Sequence, residues 1–134
     1  MRRIRMLQAI PRGTSTLEFI VVLPSFLLVM FGAIELSRAW MTMNVVTQAA
    51  REGARVGSVS SPFDAGAALA RIDQVLSGAN LTAASKSVSC AAPCDPDSAV
   101  TATVTVNFQT LFPLLLPMMA GPWPLTNTAT MRYE

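Results

Sequence analysis

Histidine is absent from the 134-residue sequence, and cysteine occurs only twice. A serine therefore has no histidine general base to activate it, and zinc has too few soft ligands. The carboxylates are scattered singly, and neither a G-x-S-x-G turn nor a phosphate-binding glycine loop occurs. We expect no catalytic residue, metal site, cofactor or small-molecule substrate, and the sequence predicts that the protein is not an enzyme.

Charged residues are scarce as well, at 13% of the chain with a net charge of +2. Four of the ten basic residues precede Gly13, a stretch without any acid, and the remainder carries six basic and eight acidic side chains. This is not a basic patch on a folded domain, so nucleic-acid binding is not expected. Basic residues beside a hydrophobic segment instead predict a cytoplasmic leader and a single-pass protein whose remainder lies outside the cytoplasm.

The longest uncharged stretch is the sixteen-residue run from Phe19 to Ile34. Together with the five preceding residues it would form a helix of about 31 Å, enough to cross the hydrocarbon core of a bilayer. Pro24 lacks an amide hydrogen and predicts a kink one turn earlier, near Ile20. Gly32 would let another helix approach closely. We therefore predict a membrane-spanning segment here.

Beyond Glu35 the same helix turns amphipathic and is predicted to continue to about Gly57, so that residues 14–57 form one helix. Its apolar positions recur every three or four residues, as on one face of a helix. They are mostly alanine and methionine, which suits close contact with the head or with a neighbouring subunit. The stripe consists of Ala39, Met43, Val46, Ala50 and Ala54.

We predict that residues 58–134 form a small α+β head outside the cytoplasm. A second helix is expected from Asp64, as N-cap, to Ser77, with Gly78 as the C′ residue. Three strands are expected to form a small antiparallel sheet covered by the long helix, the second of them with clear apolar–polar alternation. Their predicted ranges are Leu81 to Val88, Ala99 to Phe108, and Leu125 to Tyr133, the last with Ala129 and Met131 inward.

The apolar stretch from Leu111 to Pro124 contains four prolines and is too short and too broken for a second membrane helix. We interpret it as an ordered loop that folds over the head, contacts a neighbour or touches the membrane surface. Cys90 and Cys94 flank a predicted turn in an exported region, which favours a disulfide between them. Two free thiols or an intermolecular bond are the alternatives.

The leader ends at the junction Gly13/Thr14, which precedes the apolar run, so cleavage there would keep the hydrophobic helix. An uncleaved signal anchor is the alternative. Glu18 also has two interpretations. It is either a charge in the first turn of the helix, solvated at the headgroup level, or the partner of a cation on a neighbouring chain.

The same residues carry a family resemblance. Gly13 and Thr14, then Glu18 at the fifth position after the junction and a long apolar helix, resemble a prepilin. The stretches GTSTLEFIVVLPSFLLVMFGAIELSRA and QAAREGARVG resemble the TadE-like pseudopilins of tight-adherence (Flp-type) pilus systems, as does the closing ATMRYE. The match covers the leader, helix and tail closely and the middle loosely. The related TadF is a further possibility for its identity.

The resemblance implies a minor pilin of the bacterial inner membrane, with its head in the periplasm, that assists assembly of the pilus. It further implies cleavage after Gly13 by a membrane-embedded prepilin peptidase, and pairing of Glu18 with a neighbouring subunit's free amine. Its partners would be other pilins and the tight-adherence secretion machinery. The alternative function is an unprocessed, signal-anchored envelope protein whose head binds a ligand or protein.

Overall fold

The computed structural model describes residues 14–112 and 121–134. Its elements confirm the predicted α+β class, with a long apolar N-terminal helix, a short second helix and a three-stranded antiparallel sheet. The predicted leader, residues 1–13, and residues 113–120 of the predicted loop lie outside the described residues. The elements are α1 (Thr14–Val59), α2 (Ala65–Gly78), β1 (Ala83–Cys90), β2 (Ala99–Phe108) and β3 (Trp123–Arg132).

The sheet has the order β1-β2-β3, and its central strand has the predicted bounds. The two-residue period places Val100, Ala102 and Val104 in the core and alternate threonines on the outer face. These threonines face threonines of β3 across the strand pair, which is a favourable cross-strand arrangement. The hydroxyl pairs are Thr101 with Thr130, Thr103 with Thr128, and Thr105 with Thr126.

Strand β3 begins at Trp123, two residues before its predicted start at Leu125. Pro124 pairs with Asn107 of β2. Proline is tolerated there because β3 is an edge strand, where one row of amide groups is not needed by the ladder. Ala129 lies on the inward side, packed against the core, as predicted.

The core forms where α1 packs against α2 and the sheet. Val46, Ala50 and Ala54 of the predicted stripe are fully buried, and Ala39 and Met43 are partly buried. Small side chains on this face allow the close contact that the composition of the stripe predicts. The central cluster comprises Val46, Ala49, Ala50, Ile72, Leu76, Val104 and Val106.

Strand β2 runs antiparallel to α1. At its start, Val100 Cγ1 lies 3.0 Å from the position that a Cβ at Gly57 would occupy. At its end, the Phe108 ring centroid lies 5.3 Å from the Arg38 guanidinium carbon. The end of β2 and the start of β3 therefore lie beside the end of the apolar run, at the end of the head here named proximal. The β1–β2 turn lies at the opposite, distal end.

Helix α2 starts at the predicted N-cap but ends differently. The Asp64 carboxylate accepts hydrogen bonds from the amides of Gly66 and Ala67. The prediction that Gly78 is the C′ residue was wrong, because Gly78 is still helical and Asn80 takes the left-handed conformation at φ 54°. The amides of Asn80 and Leu81 donate to the carbonyls of Ser77 and Leu76, which is the Schellman pattern with asparagine in place of glycine.

The distal end holds the predicted disulfide between Cys90 and Cys94, which is confirmed. The C-terminus closes on the same region. The Tyr133 hydroxyl donates to the Ser60 carbonyl at 2.9 Å, and the Glu134 amide donates to the Ser58 carbonyl at 3.0 Å. The last residues of the chain are thus attached to the end of α1, which continues to Val59 rather than to the predicted Gly57.

Close contact between α1 and α2 makes Gly53 a testable position. A Cβ there would lie 2.6 Å from both Cγ1 and Cδ1 of Ile72. Overpacking of this kind costs about 1–3 kcal/mol. The higher helix propensity of alanine returns only ~1 kcal/mol, so the upper part of that range exceeds it. We expect Gly53→Ala to lower the melting temperature of the full chain in detergent micelles.

Gly78→Ala is the matched control, because a Cβ at Gly78 meets nothing within 4 Å. It should leave the melting temperature unchanged or raise it. Equal melting temperatures for Gly53→Ala and Gly78→Ala would show that the two helices separate at no cost.

Candidate assembly site on the long helix

The first half of α1 protrudes from the head and is bare. By length and composition it can cross a membrane, and none of its most apolar 18-residue window is buried. Phe19, Pro24 and Ile34 are exposed, and a Cβ at Gly32 would meet nothing within 4 Å. Such a surface calls for lipid or neighbouring helices around it. The helix thus fits the predicted membrane protein.

Helix α1 runs without interruption through Pro24. Proline removes one backbone hydrogen bond without ending the helix, which membrane helices tolerate. The kink near Ile20 stays a prediction. Gly13 lies outside the described residues, and Thr14 is the first residue of α1. The processing site therefore also stays a prediction.

Glu18 is the fifth residue of α1 and lies in its second turn. The prediction that it is a first-turn charge was wrong, because the helix includes Thr14 and Ser15. Its side chain is exposed among Leu17, Val21 and Val22, and it forms no ion pair within residues 14–112 and 121–134. The fold therefore leaves this carboxylate available to a group outside the described chain.

Glu35 is a buried acid whose partners the sequence pattern did not reveal. Only 1% of it is exposed, although it marks the end of the apolar run. Its Oε2 accepts a hydrogen bond from Arg38 Nη1 at 2.9 Å. Its Oε1 accepts from the amides of Leu111 at 2.5 Å and Phe112 at 3.2 Å. Burial of a carboxylate is costly unless it is paired and hydrogen-bonded, and these three donors meet that condition.

Two aromatic contacts surround the Glu35 bonds. The rings of Phe31 and Phe112 lie 4.4 Å apart between centroids. The Arg38 guanidinium lies over the Phe108 ring, within the range of a cation–π interaction. Glu35 and these rings together hold the end of β2 against the last turns of the apolar run. Residues 109–112 are therefore attached to α1 through both polar and aromatic contacts.

A second acid of α1, Glu52, shows the contrasting exposed case. It pairs with Arg55 at 2.9 Å, as its spacing predicts, and also with Arg71 of α2 at 3.3 Å. The hydrogen bond from Arg55 lowers the pKa of Glu52, helped by Arg71, and the same contact raises the pKa of Arg55. The pairs connect the two helices at the surface.

Comparison with known proteins shows a similarity to one described family over part of the chain. The family model for TadE-like protein matches residues 13–55. The matched segment includes Gly13, Glu18, the bare apolar half of α1, Glu35 and the buried stripe. No curated protein and no solved structure matches the chain. The resemblance predicted from the sequence is thus confirmed over residues 13–55, where the chain is similar to the TadE-like family.

Proposed function

We propose that this protein is a minor pilin, or pseudopilin, that assists assembly of tight-adherence pili from the bacterial inner membrane. The observation that carries the proposal is the bare apolar half of α1 with an exposed carboxylate, Glu18, near its start. A soluble domain would bury such a helix. A pilin needs it exposed, first to lipid and then to the helices of other subunits.

The position of the head supports this function. Its contacts with α1 begin near Phe31 and Glu35 and continue to the end of the helix. Every face of α1 before these contacts remains accessible, so helices of several subunits could surround it. The head would then lie on the periplasmic side. The protein would act as a structural subunit and not as an enzyme, with other pilins and the secretion machinery as its partners.

Processing by a prepilin peptidase is the part of the proposal that is most directly testable. The junction Gly13/Thr14 precedes the apolar helix, so cleavage would remove the basic leader and create an amine at Thr14. We expect the mature protein from native membranes to begin at Thr14 by intact-mass spectrometry. Gly13→Leu should abolish this species, because the peptidase site would have to accept a bulky side chain.

Ala9→Leu is the matched control, since it adds the same side chain within the leader but leaves the junction unchanged. It should be processed normally. Detection of Met1 on the wild-type protein, in cells with an active prepilin peptidase, would instead support the unprocessed, signal-anchored alternative.

A further inference from the structure

The proximal end of the head exposes large apolar side chains on several elements. On α1, Leu36, Trp40 and Met41 are each about 70% exposed. On the head, Leu111 is 59% exposed and Trp123, at the start of β3, is 49% exposed. Exposed apolar side chains of this size are unusual on a domain in water.

The position of this surface along α1 follows from its contacts. Leu111 and Phe112 bond to Glu35, and Phe112 contacts Phe31, so they lie level with the last turns of the apolar run. Trp123 pairs with Phe108, which lies beside Arg38. Arg38 is four residues beyond Ile34, or about 6 Å at ~1.5 Å per residue, and a tilt of about 20° changes this little.

A height of about 6 Å above the hydrocarbon is within the interfacial layer of a bilayer, which is roughly 5–7 Å thick on each side. Tryptophan is enriched in this layer, because its ring is apolar and its indole N–H is polar. Trp123 pairs with Phe108 and therefore lies close to this level. Trp40 lies six residues beyond Ile34, or about 9 Å, just beyond this layer. The charged pair at this level, Glu35 with Arg38, has its carboxylate fully buried and its guanidinium partly exposed.

We propose that the proximal end of the head is a membrane-binding surface: Leu111, Phe112 and Trp123 enter the outer interface of the bilayer that α1 crosses. The surface is continuous with the membrane helix, which identifies lipid as its occupant. The head then rests on the bilayer instead of extending freely above it. This inference depends on membrane insertion of α1, which is part of the proposed function, and the test below separates the two.

The test uses tryptophan fluorescence of the full chain in phosphatidylcholine vesicles, with or without bromine near the headgroup end of the acyl chains. Trp40→Phe leaves Trp123 as the only tryptophan. Bromine quenches tryptophan on contact, so we expect brominated lipid to lower the Trp123 emission, as for an interfacial tryptophan.

Two control proteins give the quenching expected for a tryptophan inside the bilayer and for one outside it. Both lack Trp40 and Trp123, so that the introduced tryptophan is the only one. Phe26→Trp, in the middle of the apolar run, should be quenched by lipid that carries bromine near the methyl end of its acyl chains if α1 is inserted. Ala91→Trp, exposed in the distal turn, should not be quenched. Quenching of Phe26→Trp without quenching of Trp123 would overturn the membrane-binding surface alone. Absence of quenching in both would overturn membrane insertion, and the inference with it.

Discussion

Glu18→Ala is expected to reduce pilus numbers strongly while the protein remains inserted, processed and folded. The carboxylate is exposed and has no ion-pair partner within the described residues, so its removal costs the head nothing. In an assembly, a carboxylate surrounded by Leu17, Val21 and Val22 would be poorly hydrated, and an amine at Thr14 of a neighbouring chain would be its natural partner. Loss of only about 1.4 kcal/mol per contact is already tenfold in an association constant.

The measurement is the number of pili per cell, with the variant at wild-type protein levels. Glu18→Asp keeps the charge but shortens its reach, and should give an intermediate number. The matched control is Leu17→Ala, which shortens the neighbouring exposed side chain without touching the charge. Wild-type pilus numbers for Glu18→Ala would show that the carboxylate has no role in assembly.

Glu35→Ala is expected to destabilise the head by about 3 kcal/mol or more. The substitution removes the acceptor of three hydrogen bonds, leaving two part-buried amides and Arg38 without their partner. A buried donor left without its acceptor typically costs about 1–3 kcal/mol, so the three donors together account for a loss of this size. Chemical denaturation of the full chain in detergent micelles would measure the loss. Exchange of the Leu111 and Phe112 amide hydrogens should also become faster.

Glu52→Ala is the matched control, because Glu52 and Arg55 have the same spacing and the same 2.9 Å distance as Glu35 and Arg38. The Glu52 pair is exposed, and such pairs contribute about 1 kcal/mol or less. Glu35→Gln, which keeps an oxygen acceptor for the amides, should be intermediate. If Glu35→Ala lowered the free energy of unfolding no more than Glu52→Ala, the Leu111 and Phe112 amides would have to donate to water in the variant.

The elements that local patterns determine were predictable. Strand β2 alternates between valine or alanine and threonine, so the two-residue period defines both its bounds and its inward face. The α1 stripe and the Asp64 N-cap are equally local. The disulfide followed from two cysteines around a turn. In each case the partner lies within a few residues or on a predictable face.

The burial of Glu35 could not be predicted in the same way. Its amide partners are 76 and 77 residues away in the chain, and an acid after an apolar run is usually solvated at the interface. Arg38, three residues later, was the only local signal. The end of α2 was missed for another reason, since glycine is the commonest C′ residue but Asn80 also tolerates the left-handed conformation. The start of β3 at Trp123 was missed because Pro124 follows it, and proline is normally unfavourable within a strand.

The antiparallel arrangement of β2 on α1 also determines how the protein would respond to force. The head is joined covalently to α1 only beyond Val59, and its last residue, Glu134, bonds back to Ser58 at the same end. Tension on the membrane segment against a held head would therefore load the interface between Glu35 and Ser58 in shear, over about 35 Å at ~1.5 Å per residue. Under shear the contacts along this length must yield together, whereas peeling would break them one after another. The geometry suits a subunit of a fibre that is pulled along its axis.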